Sequence, residues 1–127
     1  MNAVPIFELR IPRPPNSQSP NSRTHWRVKS IDKKKYRETV EILARSKAER
    51  EYKITKCRIE SHWIFRKRAR RDADNLIGSL KAAFDALTRS GVLADDNEVE
   101  HAHPQQVVVK DSPSEHVVLK VFECGTK

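Results

Sequence analysis

Long apolar runs are missing from this 127-residue chain: no stretch approaches the ~20 residues that a membrane-spanning helix requires, and no apolar signal-peptide core opens it. A soluble, cytoplasmic protein is the expectation. Glycine is scarce, with three in the chain, and none belongs to a glycine-rich phosphate loop, so nucleotide hydrolysis of the P-loop type has no support. Cysteine is scarcer still. Cys57 and Cys124 stand alone, form no CxxC, and read as reduced structural thiols rather than a bridge or a nucleophile. No serine or cysteine sits in a nucleophile elbow, which removes the argument for acyl transfer. Internal repeats and low-complexity segments are absent too.

Positive charge is plentiful. Lys plus Arg number 25 against 17 Asp plus Glu, a net charge of +8, and the excess gathers in residues 23–37 and 66–71. Such a balance favours an anionic partner, with nucleic acid first and a membrane surface second. A chain of this length buries roughly two-thirds of its unfolded surface in a single core and is too short for two.

Residues 4–11 carry β-branched and aromatic side chains and read as a first strand, with Pro5 placing it at an edge or standing at its first residue. Four prolines mixed with Asn and Ser make 12–22 a loop. Tyr36, Val40, Leu43, Ala44 and Ala48 recur at helical spacing, so a helix is predicted from a cap at Asp32 to about Arg50. Cys57, Ile59, Ser61, Trp63 and Phe65 alternate with Arg58, Glu60 and His62, the pattern of a half-buried strand over 54–65. Leu76, Leu80, Ala83, Phe84 and Leu87 then form the stripe of an amphipathic helix starting at Asp74 or Asn75 and ended by Gly91. Valine-rich segments 98–110 and 115–123, separated by Asp111-Ser112-Pro113-Ser114, read as two antiparallel strands. The order β-α-β-α-β-β predicts an α/β (α+β) fold, a single small domain over 1–127 with a mixed β-sheet packed against two helices.

Acidic groups cluster at the junctions of this scheme. Asp72-Ala73-Asp74-Asn75 directly follows Arg66-Lys67-Arg68-Ala69-Arg70-Arg71, and Asp95-Asp96 lies between the second helix and the next strand. Neighbouring carboxylates repel, and a hard cation such as Mg²⁺ or Mn²⁺ offsets that repulsion, while adjacent arginines hold phosphates. In phosphodiester hydrolysis such a metal activates water and stabilises the leaving oxygen. Plainer readings stand beside this one. Asp72 and Asp74 also suit helix capping, Asp95-Asp96 a solvated turn, and Lys81 an i,i+4 pair with Asp85 worth about 0.3–0.5 kcal/mol. The EF-hand spacing is not met. His101 and His103 share a strand face but lack a third zinc ligand, and Trp26 is a better base-stacking candidate than Trp63, which lies in the apolar strand pattern.

The ordered string Asp72-Ala73-Asp74-Asn75-Leu76, Lys81-Ala82-Ala83-Phe84-Asp85-Ala86-Leu87, Gly91 and Asp95-Asp96 resembles the RusA-type Holliday junction resolvases. The likeness is strongest over 70–99, and Pro14-Pro15-Asn16, the helix after it and the C-terminal strands occur in a similar order. It implies a homodimer that binds four-way DNA junctions and makes paired, Mg²⁺-dependent cuts in opposing strands. The implied catalytic and metal-binding carboxylates are Asp72, Asp74 and Asp96, with Asp95 as a further candidate, and the implied lysine is Lys81. Arg66, Lys67, Arg68, Arg70, Arg71 and Asn75 are the expected DNA contacts. The chain departs from the family pattern at one point: the family lysine comes four residues after the second Asp, where this chain has Gly78. A non-catalytic DNA-binding protein of the same fold and a nuclease for flaps or RNA are the alternatives.

Overall fold

A computed structural model describes residues 4–124. Strand β1 (Phe7–Pro12) buries Phe7, Leu9 and Ile11 and exposes the residues between, as its alternation dictates. Helix α1 (Trp26–Lys47) lays Tyr36, Val40 and Ala44 on the core. The long strand β2 (Ile54–Phe65) buries Cys57, Ile59, Ser61, Trp63 and Phe65, while Arg58, Glu60 and His62 hydrogen-bond one another on its other side. Two short helices follow, α2 (Ala73–Ser79) and α3 (Lys81–Arg89), then β3 (Leu93–His101), β4 (Gln105–Val108) and β5 (His116–Glu123). Val117, Leu119 and Val121 of β5 complete the apolar face that the helices cover. Full burial of such side chains stabilises by about 1.5–3 kcal/mol each.

Strand β2 organises the sheet. It pairs antiparallel with β5 along one edge, and along the other it pairs in parallel with β3 and then, from His62 to Phe65, with β4. Antiparallel β1 lies outside β5. The predicted mixed sheet, small single domain and α+β class are present, with a five-stranded sheet. Among the described residues no helix is long and apolar enough to cross a membrane.

Three expectations are corrected. The valine-rich segments do not pair as a hairpin, because β4 and β5 occupy opposite edges of β2 and the chain at 109–115 crosses over its end. Arg66 secures that crossing by donating to the carbonyls of Ser112, at 2.9 Å, and Pro113. Helix α1 begins six residues earlier than Asp32: the His25 ring accepts from the Arg27 N–H at 3.2 Å as its cap, and Asp32 instead accepts from the Ser17 hydroxyl at 2.6 Å. The predicted second helix is broken at Leu80, whose ψ of 6° interrupts the helix while its side chain stays fully buried.

The Pro-rich loop is ordered onto this break. A Cβ at Gly78 would stand 2.5 Å from Cγ of Pro20, so the proline ring occupies the place of a side chain at 78. That contact explains why glycine suits position 78. Gly78→Ala should lower stability by about 1 kcal/mol, since overpacking costs about 1–3 kcal/mol and better helix propensity returns up to ~1. Urea unfolding is the measurement, and adding Pro20→Ala should restore most of the loss.

Candidate nucleic-acid and metal site

Beyond β2 the basic arm 66–71 turns back to deliver Asp72 to the start of α2. Asp72 caps that helix, its Oδ1 accepting from the Asp74 N–H at 2.9 Å. Both carboxylates are solvent-exposed. Asp72 also lines a cavity of about 310 Å³ with Arg13, Asn16, Arg70, Arg71 and Asn75. Pro14, Pro15, Leu76 and the edge of Trp63 supply its apolar wall. The capping and site readings of Asp72 are therefore compatible, because one oxygen serves the helix and the other is left for a ligand.

The five cations of the arm divide by role. Arg66 is committed to the 112–113 carbonyls, and its own N–H donates to Glu115 at 2.8 Å. Arg71 donates to the carbonyls of Lys67 and Ala69 and lies with its guanidinium 3.5 Å from the Phe65 ring centre. Arg13 covers the same ring at 5.1 Å and pairs with Glu115 at 2.7 Å. Lys67, Arg68 and Arg70 are exposed, and their side chains make no hydrogen bond or ion pair to protein among the described residues, which leaves them available to an anion. Burial, and then the nearby charge of Arg13, pull Arg71 below the usual guanidinium value, yet it remains charged.

Lys81 is elsewhere. It opens α3 beside Gly78 in an adjoining cavity that shares Ser19 with the first. The expected Lys81 to Asp85 pair does not form, since Asp85 is 3.2 Å from Arg89 and 3.8 Å from Arg37.

Asp95 and Asp96 lie inside β3 rather than in a loop before it. The register with β2 jumps from Ile54↔Leu93 to Lys56↔Glu98, so three extra residues bulge from β3, and the acids project there beside Thr55 and Lys56. Trp63 borders the Asp72 cavity and Lys56 borders Asp96; that part of β2 spans on the order of 20 Å at ~3.3 Å per residue. One chain therefore does not bring Asp96 to Asp72 and Asp74. Among the described residues, no three of His, Cys, Asp and Glu converge as a metal site. The donor set still suits Mg²⁺ or Mn²⁺ in another way, because Mg²⁺ is commonly held by one or two carboxylates, with water and substrate phosphate supplying the rest. Asp72 and Asp74 are two such carboxylates at the start of α2, Asp72 on the cavity wall and Asp74 outside its lining.

Arg13, Asn16 and Ser19 were not foreseen as site residues from composition. Their only signal is Pro14-Pro15-Asn16, which the resemblance includes and the structure places on the cavity wall. Trp26 is exposed at the start of α1, stacked on His25, whereas Trp63 is core and donates to Ser61 Oγ at 3.1 Å. Both thiols are free, and burial pushes the Cys57 thiol up to about 11, far from nucleophilic.

No protein-family model matches the chain, and no curated protein does.

The carboxylate of Glu115 titrates below the ordinary glutamate range, first because the Arg66 N–H binds its charged form and also because Arg13 does. A lowered folded-state value means that this stabilisation is complete above the unfolded pKa of about 4.3 and disappears as pH falls through the folded value. Urea melts across pH 3–6 should show that loss in the wild type and show it reduced in Glu115→Gln, which should be the less stable protein at pH 6.

Proposed function

We propose that this protein is a structure-selective endodeoxyribonuclease that resolves four-way DNA junctions by paired incisions in opposing strands, acting as a cytoplasmic homodimer in recombination and repair. One observation carries the reading: a single cavity joins the Asp72 carboxylate to three guanidiniums at the end of a basic arm. The motif string over 70–99 supports the same reading independently, through its resemblance to the RusA-type resolvases.

The chain's own groups have separable tasks. Arg13 and Arg70 offer planar, two-pronged donors to the non-bridging oxygens of a backbone phosphate. Arg71, tied to the arm's carbonyls and to Phe65, keeps the arm folded toward the cavity. Asn16 and Asn75 add neutral donors, while Pro14, Pro15 and Leu76 limit water beside the phosphate. Lys67 and Arg68 extend the contact along the strand without reading sequence. Asp72 and Asp74 would hold Mg²⁺ or Mn²⁺, which supplies an acidified water and neutralises charge on the reacting phosphate. Symmetric cuts across a four-way junction require two sites related by a twofold axis, which is the reason for a homodimer.

A non-catalytic junction-binding protein is the second reading, and the distance of Asp96 and Lys81 from Asp72 favours it. Asp74→Asn separates the two. A nuclease should lose on the order of 10²-fold or more in single-turnover cutting, since the metal contributes several kcal/mol to the transition state. Junction affinity measured in EDTA should remain within about two-fold. If the wild type binds without cutting, the second reading holds.

A further inference from the structure

We infer that Lys29, Lys33 and Lys81 form a second phosphate seat beside the arginine cavity, distinct from the carboxylate pair. The three lysines line a cavity of about 230 Å³, together with Ser30, Gly78 and Pro20, and no carboxylate lines it. Lys29 and Lys33 are one turn apart on α1, and Lys81 approaches from the start of α3. None of the three makes an ion pair among the described residues. Like charges at that spacing destabilise a helix by a few tenths of a kcal/mol, and an anion between them reverses the sign.

The wall of the seat is built rather than incidental. Gln18 donates to the Lys29 carbonyl at 3.0 Å, and the Ser17 hydroxyl donates to Asp32 at 2.6 Å, so the 3₁₀ turn at 16–18 is fastened to α1. That second bond also engages the one acid of α1's first two turns with Ser17. Pro20, packed on Gly78, closes the opposite side. Pro20 takes the place that a side chain at 78 would occupy, and the recess lies beside that contact with Lys81 on its lining.

The ligand class is a tetrahedral phosphate oxyanion. Lysines bind phosphate as rotatable point charges, without the fixed fork of arginine, so the seat would hold a backbone phosphate regardless of sequence. The two cavities adjoin at Ser19, and a DNA strand leaving the arginine cavity would pass directly to the lysine seat. That DNA assignment rests on the proposed function; the seat itself does not, since free inorganic phosphate has the same chemistry.

Two measurements separate these sources. In the first, amide spectra of the wild type are titrated with inorganic phosphate against chloride at equal ionic strength; shifts at Ser30, Lys33, Gly78 and Lys81 are expected. In the second, anisotropy of a labelled four-way junction is followed in EDTA across a salt series for wild type and for Lys33→Gln/Lys81→Gln. The double variant should bind about 10-fold more weakly, with a log K against log salt slope shallower by about one, as expected for a lost phosphate contact. Its melting curve should match the wild type. Phosphate shifts without a change in slope would assign the seat to free phosphate and reject the DNA path. No shifts and an unchanged slope would overturn the seat altogether. A wild type that binds no junction would overturn the proposed function, and the phosphate titration would still decide the seat.

Discussion

Glu115 holds together the part of the molecule on which the site depends. Its carboxylate takes Arg13 from the Pro-rich loop and the Arg66 N–H from the start of the basic arm, and Arg66 in turn fixes the crossing at 112–113. Three segments distant in sequence thereby meet over the end of β2. Phe65, the last residue of that strand, is covered by the guanidiniums of both Arg13 and Arg71. Two like charges over one ring repel, and Glu115 is the anion that offsets them. The arrangement orders cations before any ligand arrives, so less side-chain entropy is lost on binding.

Much of the fold follows from local periodicity. The alternation of 54–65 describes β2 because one sheet face is covered by helices and the other by water. The stripe from Leu76 to Leu87 describes the buried face of α2 and α3 even though a break at Leu80 divides them. What local pattern does not carry is partnership. A short turn between two valine-rich segments suggests a hairpin, yet β2 offers two long hydrogen-bonding edges and pairs with β4 on one and β5 on the other. Asp32 is a good capping residue in isolation, but Ser17, brought in by the 3₁₀ turn, claims its carboxylate. Likewise Asp95 and Asp96 precede the valine alternation, and only the register jump against β2 shows that they belong to a bulged strand.

The candidate site is legible in the same proportion. Arg70, Arg71, Asp72 and Asn75 lie within six residues of one another in sequence and come together on one cavity wall. Asp96 and Lys81 belong to the same motif string but are set apart from Asp72 by the part of β2 between Lys56 and Trp63 and by the break at Leu80, respectively. At Gly78, Pro20 fills the position that a longer side chain would occupy, and Lys81 lies beside that contact on the lining of the second cavity. Two adjoining cavities result, one with guanidiniums and a carboxylate, the other with ammonium groups alone. On the proposed function, the two cavities form a graded path for a polyanion, with Asp72 at one end.

The most direct test of this account is incubation of a labelled synthetic four-way junction, with a matched linear duplex and a flap as controls, in Mg²⁺, in Mn²⁺ and in EDTA. Paired nicks in opposing strands, confined to the junction and abolished by EDTA, are the predicted result. Tight binding of the junction with no cut in either metal would contradict it.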